Sequence, residues 1–128
     1  MNYESKIFFV VRHMTYRGSI YGEEICRFDM YNMGDYKFKG KFFNQVFNKL
    51  IDFGLNENGD IWSNESRLDK YGVHCCWATV DEVIEWLELY TKEVNYRNAE
   101  LLLSFCYLMK EQIKNNKWGQ VCVVHYGY

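Results

Sequence analysis

The spacing of hydrophobic residues changes along this chain, and that change restricts its fold more than any other feature. Residues 6–14 and 24–33 are rich in β-branched and aromatic side chains, and the second run alternates between apolar and polar positions. The segment 16–22 between them contains glycines that can reverse the chain. The pattern therefore predicts two paired strands.

Helical spacing replaces this alternation from Lys41 onward. Apolar residues recur on one broad stripe over residues 41–51, and Gly54 follows as a stop signal, so this segment predicts a helix. Segment 55–72 is polar, which indicates a long connection with one optional short strand at Ile61 and Trp62.

A helix start is encoded at Thr79. Glu82 follows three residues later, and this pair has the pattern of a capping box, so residues 73–78 predict a strand that leads into a helix ending near Tyr90. A third helix is predicted over residues 98–114. The residues predicted to face the core from this helix are Leu101, Leu102, Phe105, Cys106, Leu108, Met109 and Ile113.

Residues 120–126 are predicted to form the last strand. The order β-β-α-(β)-β-α-α-β predicts a single α+β domain over residues 1–128, with a mainly antiparallel sheet of four to five strands packed against about three helices. Apolar residues make up 48% and aromatic residues 19% of the chain, which is enough for a core and excludes intrinsic disorder.

Charge and cysteine content indicate the class of protein. The chain has 15 basic and 17 acidic residues and a net charge of -2, too balanced for a polycation. It shows neither the roughly 18-residue apolar run of a membrane span nor a signal-peptide cleavage site, so we expect a cytoplasmic protein without a membrane partner. The five cysteines form an odd set and are expected to be reduced. Abundant Lys, Asn, Phe and Tyr without proline favour an AT-rich bacterium, phage or mobile element as the source.

Five Cys and His side chains are candidates for a site: His74, Cys75, Cys76, Cys122 and His125. Alternation along a strand places Cys122 and His125 on opposite faces, and the chain has no C-x-x-C pair, so we predict no metal and no cofactor. Known nucleophile and nucleotide-binding motifs do not occur, and no catalytic residue is assigned. A small enzyme or ligand-binding protein with a pocket lined by His74, Cys76, Trp77 and tyrosines is one alternative function.

Lysines and aromatic residues are interleaved over residues 36–51, which contain no acid; the lysines are Lys37, Lys39, Lys41 and Lys49. Such a patch could bind nucleic acid by stacking bases on its aromatic rings. The favoured interpretation is a solvated strand-to-helix junction whose aromatic side chains point inward. We therefore treat direct nucleic-acid binding as an alternative.

The helix after Thr79 is acidic, and its candidate partner-binding residues are Asp81, Glu82, Glu85 and Glu88. These carboxylates either form an ordinary exposed helix face or dock a basic protein. The leading hypothesis is a non-enzymatic protein-binding module that acts stoichiometrically through this helix and exposed aromatic residues. Its expected partner is a basic nucleic-acid enzyme, such as a host defence nuclease inhibited in the manner of an anti-CRISPR protein. The sequence leaves the oligomeric state open.

Overall fold

A computed structural model describes residues 5–30, 36–55, 66–69 and 71–127. It confirms the α+β class, with a five-stranded antiparallel sheet and three helices among these residues. The elements in chain order are β1 (Ser5–Met14), β2 (Ile20–Asp29), α1 (Tyr36–Val46), β3 (Lys49–Leu50), β4 (Cys76–Thr79), α2 (Val80–Glu93), α3 (Arg97–Asn116) and β5 (Val121–Gly127). None of the helices in the described ranges is long and apolar enough to cross a membrane.

The sheet places the first and last described strands side by side. Its strand order is β2-β1-β5-β4-β3, so β1 pairs with both β2 and β5 while β2 and β3 form the edges. Ile7 lies opposite His125 in the β1–β5 pair, and His125 also lies opposite Cys76 of β4. The register of β1 against β2 shifts between Phe9 and Val10, which marks a bulge in the β2 edge strand.

The three helices pack against one face of the sheet. Ile7, Phe9 and Val123 contribute the strand side of this core, and α1 and α2 meet through aromatic rings. The Phe42 ring lies 5.3 Å from the Trp86 ring between centroids, and Trp86 Nε1 donates a hydrogen bond to Gln45 at 2.9 Å. Aromatic side chains therefore join α1 to α2 within the helix layer.

The other face of the sheet is covered by the segment 51–55. Its apolar side chains pack with Cys75 onto the residues of β1 and β5 that point away from the helices. The Ile51 amide donates to the Cys75 carbonyl at 3.1 Å, and Arg12 Nη2 forms a 2.6 Å salt bridge with Asp52. A non-helical segment can cover this face because these bonds hold its backbone in place.

The predicted helix over residues 41–51 is shifted in the structure. It occupies Tyr36–Val46, because Phe38 extends the buried stripe toward the N-terminus. Lys49 and Leu50 instead pair with Trp77 and Cys76 as β3, and Gly54 does not end a helix. Strand β3 was not predicted at Lys49–Leu50, and the optional strand predicted at Ile61 and Trp62 lies outside the described residues.

The predicted capping box is confirmed. The Glu82 amide donates to Thr79 Oγ1 at 3.0 Å, and the Thr79 amide donates to Glu82 Oε1 at 3.1 Å. Helix α2 continues to Glu93, beyond the predicted end near Tyr90. The local bonds of the box fix the start of α2 directly after β4.

Candidate interaction surfaces

The four predicted acidic residues of α2 have different environments. Asp81 forms a 2.9 Å salt bridge with Lys110 of α3 at an exposed position. Glu82 belongs to the capping box and also accepts a hydrogen bond from Lys49 Nζ at 2.5 Å. The Lys49 hydrogen bond is the main reason that the pKa of Glu82 is lowered. Asp81 and Glu82 therefore contribute to contacts within the fold.

The other two acids point away from the core together with an exposed leucine. Glu85 and Glu88 are exposed, and the side chain of Leu89 is 61% exposed. Tyr107 of α3 is also exposed, and its pKa is raised by desolvation and by the nearby Glu88 carboxylate. We call Glu85, Glu88, Leu89 and Tyr107 the α2 outer face. It combines negative charge, an aliphatic side chain and a phenol on the helix layer.

The predicted basic patch is divided by the helical geometry of α1. Lys37 and Lys41 are exposed and one turn apart, whereas Lys39 is partly buried on another side of the helix. Phe38 and Phe42 are fully buried. These two rings are therefore not available for stacking on bases.

Lys49 lies apart from the other lysines of the patch, at the opposite edge of the sheet from β2. Its Nζ is 4.5 Å from the centroid of the Trp77 ring, and it donates to Glu82. The cation–π contact and the ion pair hold this side chain between β3, β4 and the start of α2. Lys49, a residue of the predicted basic patch, is thus paired with Glu82, one of the predicted partner-binding acids.

The five predicted Cys and His residues do not converge. Cys76 and His125 are neighbours across β4 and β5, but Cys122 packs into the core on the other face of the sheet. His74 Nε2 lies 3.3 Å from the Ile51 carbonyl oxygen. Within the described ranges, no group of three or more His, Cys, Asp or Glu side chains could hold a metal ion.

The cysteine thiols are held in their protonated form. Burial raises the pKa of Cys76, and it raises the pKa of Cys75 and Cys122 to about 12. A nucleophilic cysteine needs a lowered pKa and an accessible thiolate. These thiols behave as small apolar side chains of the core.

His125 is the most perturbed titratable side chain near the predicted pocket. Its ring stacks on Phe43 with centroids 3.5 Å apart, and Phe47 lies 5.7 Å away. Burial, followed by the charge of Lys39, lowers the pKa of His125 to about 3. The Nε2 atom is buried and has no hydrogen-bond partner in the part of the chain that the structure describes. His125 is therefore a neutral side chain that packs among aromatic rings.

An open groove of about 500 Å³ lies where α2 begins beside the C-terminal half of α3. Thr79, Asp81 and Lys110 line it, and the Asp81–Lys110 salt bridge forms part of its wall. Glu111 and Lys114 add one charge of each sign to this wall, so the groove offers no concentrated charge of one sign to a ligand.

No family model, curated protein or solved structure matches this chain. Its functional interpretation therefore depends on these interaction surfaces.

Two leucines of α3 lie at the surface, which the sequence did not indicate. Leu101 and Leu108 were predicted to face the core, and the structure leaves them 49% and 66% exposed. The predictions for Leu102, Cys106 and Met109 are confirmed, since these side chains are buried together with Ala99 on the core side of α3. A second apolar side of a helix follows the same spacing rule as a core side, so sequence alone does not separate them.

Proposed function

We propose that this chain is a non-enzymatic protein-binding module that acts stoichiometrically through the α2 outer face. The observation that carries this proposal is the exposure of Leu89 beside the outward carboxylates Glu85 and Glu88, since a leucine at 61% exposure adds little to the core. Exposed apolar and aromatic side chains with a charged rim are the usual composition of a protein interface. Tyr107 supplies the aromatic member of this surface.

The charge of this surface favours a basic partner. Glu85 makes no hydrogen bond or ion pair with the described residues, and Glu88 is also exposed, so both carboxylates can face a partner. Asp81 and Glu82 are paired with lysines of the chain itself, which leaves two carboxylates for docking instead of the four predicted. Exposed charges of this kind chiefly raise the association rate with an oppositely charged surface.

The partner class that we propose is a basic nucleic-acid enzyme, and within it a defence nuclease such as a CRISPR effector. Acidic side chains of an inhibitor can occupy the cationic channel that such an enzyme uses for nucleic acid. The amino-acid composition, which favours an AT-rich coding sequence such as that of a phage or mobile element, supports this choice. An inhibitor that acts by occupancy needs no catalytic group of its own.

The test is a titration of the purified chain against a panel of purified CRISPR effector nucleases, with DNA cleavage as the readout. We expect cleavage by at least one nuclease to stop near one chain per enzyme. Glu85→Lys combined with Leu89→Ala should weaken inhibition at least tenfold, because it reverses a charge and removes an apolar contact. Glu23→Lys makes the same charge reversal on β2 and serves as the matched control.

Inhibition that is equal for both variants would contradict a role for the α2 outer face. If no nuclease of the panel is inhibited and none is retained by the immobilised chain, the nuclease assignment is wrong.

A further inference from the structure

Helix α3 has a second apolar side that the fold leaves uncovered. Leu101 and Leu108 are 49% and 66% exposed, and Phe105 is partly buried between them. These residues share one side of the helix because they are spaced by four and three positions. We call them the α3 stripe. Burying the stripe would remove two exposed leucines from water, so a partner that covers it gains hydrophobic free energy.

The α3 stripe lies at one border of the molecule. Phe105 packs against Phe9 of β1 at 5.2 Å and against Phe28 of β2 at 6.0 Å between ring centroids. Since β2 is an edge strand, the stripe overhangs the side of the sheet on which no described strand continues. A partner could approach here beside α3 without displacing any described element.

We propose that the occupant of the α3 stripe is a second copy of this chain, with α3 packed antiparallel to the partner subunit's α3. Leu101 and Leu108 are one heptad apart, so a twofold axis beside Ser104 and Phe105 places each leucine opposite the other leucine of the partner. Ser104 is small and exposed, and it permits close approach of the two helices at the axis. The stripe is thus self-complementary in shape.

Charge complementarity favours the same arrangement. Arg97 and Glu111 are two heptads apart on one flank of the stripe, and both are exposed. Neither forms a salt bridge within the described ranges. In the antiparallel pair, Arg97 lies opposite the partner subunit's Glu111, and the twofold axis repeats this ion pair. A parallel pair would instead place each arginine beside the other arginine, which costs free energy.

The dimer does not rest on the proposed function, and the two are tested at different residues, although Tyr107 of the α2 outer face is next to Leu108 of the α3 stripe in the chain. Leu89 and Glu85 project from α2, whereas the α3 stripe lies on the side of α3 that borders β2. Failure of the dimer would leave the nuclease titration unaffected, and failure of the titration would leave the dimer unaffected.

The first experiment measures molecular mass by sedimentation equilibrium over rising concentrations of the full chain. We expect a reversible monomer–dimer equilibrium. Leu108→Glu should raise the dimer dissociation constant about a hundredfold, because each dimer then loses two leucine contacts and places two carboxylates in the interface. Leu89→Glu is the matched control: Leu89 is 61% exposed, close to the 66% of Leu108, and its substitution should leave the dimer intact.

The second experiment tests the antiparallel register by charge reversal. Arg97→Glu should weaken dimerisation about tenfold, because two attractive pairs become repulsive, and the double variant Arg97→Glu with Glu111→Arg should restore it. A thermal melt of each variant confirms that it is folded.

Three results would overturn the proposal. The first is a single-chain mass at about 1 mM, a concentration at which even a specific contact of about -4 kcal/mol is substantially populated. The second is a dimer that survives Leu108→Glu. The third is a double charge reversal that fails to restore association, which would exclude the antiparallel arrangement.

Discussion

Helices α1 and α2 both carry a run of charge in the sequence, but the fold uses the two runs differently. In α1 the aromatic residues between the lysines turn inward, and Phe38 and Phe42 become the centre of the helix layer. In α2 the acids divide, with Asp81 and Glu82 paired to lysines and Glu85 exposed without a described partner. The comparison shows that the charge of a segment says little about function until its neighbours are known.

The largest change in the free energy of unfolding should come from substituting an aromatic residue of α1. Phe42→Ala is expected to lower the free energy of unfolding by about 3–5 kcal/mol, because it leaves a cavity among the Phe47, Phe38 and Trp86 rings. Urea denaturation measures this loss, with Asn44→Ala on the exposed side of α1 as the control. A loss below about 1 kcal/mol would show that Phe42 is a surface residue and would revive a base-stacking role for α1.

A second effect concerns His125, which packs under α1. Its pKa of about 3 in the folded state is below the ordinary value of 6.5, so the unfolded chain binds a proton before the folded chain does. The contribution of neutral His125 to the free energy of unfolding should therefore be fully present above pH 6.5. It should fall by about 1.4 kcal/mol per pH unit as the pH decreases from 6.5 toward 3.

His125→Phe should remove this part of the acid sensitivity while keeping the ring stacked on Phe43. Chemical denaturation of both proteins at pH 7 and pH 5 gives the comparison, and we expect the native chain to lose about 2 kcal/mol more than the variant. Equal losses would mean that the His125 imidazole accepts a proton in the folded state.

The smallest effect should come from the exposed lysines of α1. Lys37→Glu with Lys41→Glu is expected to change the free energy of unfolding by less than about 1 kcal/mol, as is usual for exposed charges. Fluorescence anisotropy with single-stranded DNA should detect no tight binding by the native chain at physiological salt. A submicromolar, salt-sensitive affinity that the double variant abolishes would instead favour a nucleic-acid-binding protein.

The sequence was most informative where local contacts decide the structure. The capping box at Thr79 and Glu82 located the start of α2, because its two hydrogen bonds join residues three positions apart. The boundary near Lys49 was misplaced, because this residue becomes a strand only by pairing with Trp77, far away in the chain. Local periodicity contains no information about such a partner.

The candidate sites were harder to predict than the fold. Four acids of α2 look alike in sequence, and Lys49 and Lys110, which pair with two of them, come from other elements. Likewise, Leu101 and Leu108 fit a core pattern, and only the position of α3 above the sheet edge shows that they are exposed. Exposure is a property of the tertiary structure, and it decides which of these residues a partner can contact.

The division of the α2 acids is tested most directly by one matched pair of substitutions, Glu82→Ala and Glu85→Ala, compared by urea denaturation at pH 7. Glu82→Ala removes the Glu82 side-chain hydrogen bond of the capping box and the Lys49 ion pair, so it should lower the free energy of unfolding by about 1 kcal/mol. Glu85→Ala should leave the free energy of unfolding unchanged within about 0.5 kcal/mol, because no described residue pairs with Glu85. Equal losses, or a larger loss for Glu85→Ala, would show that Glu85 also holds the fold together and would contradict its availability to a partner.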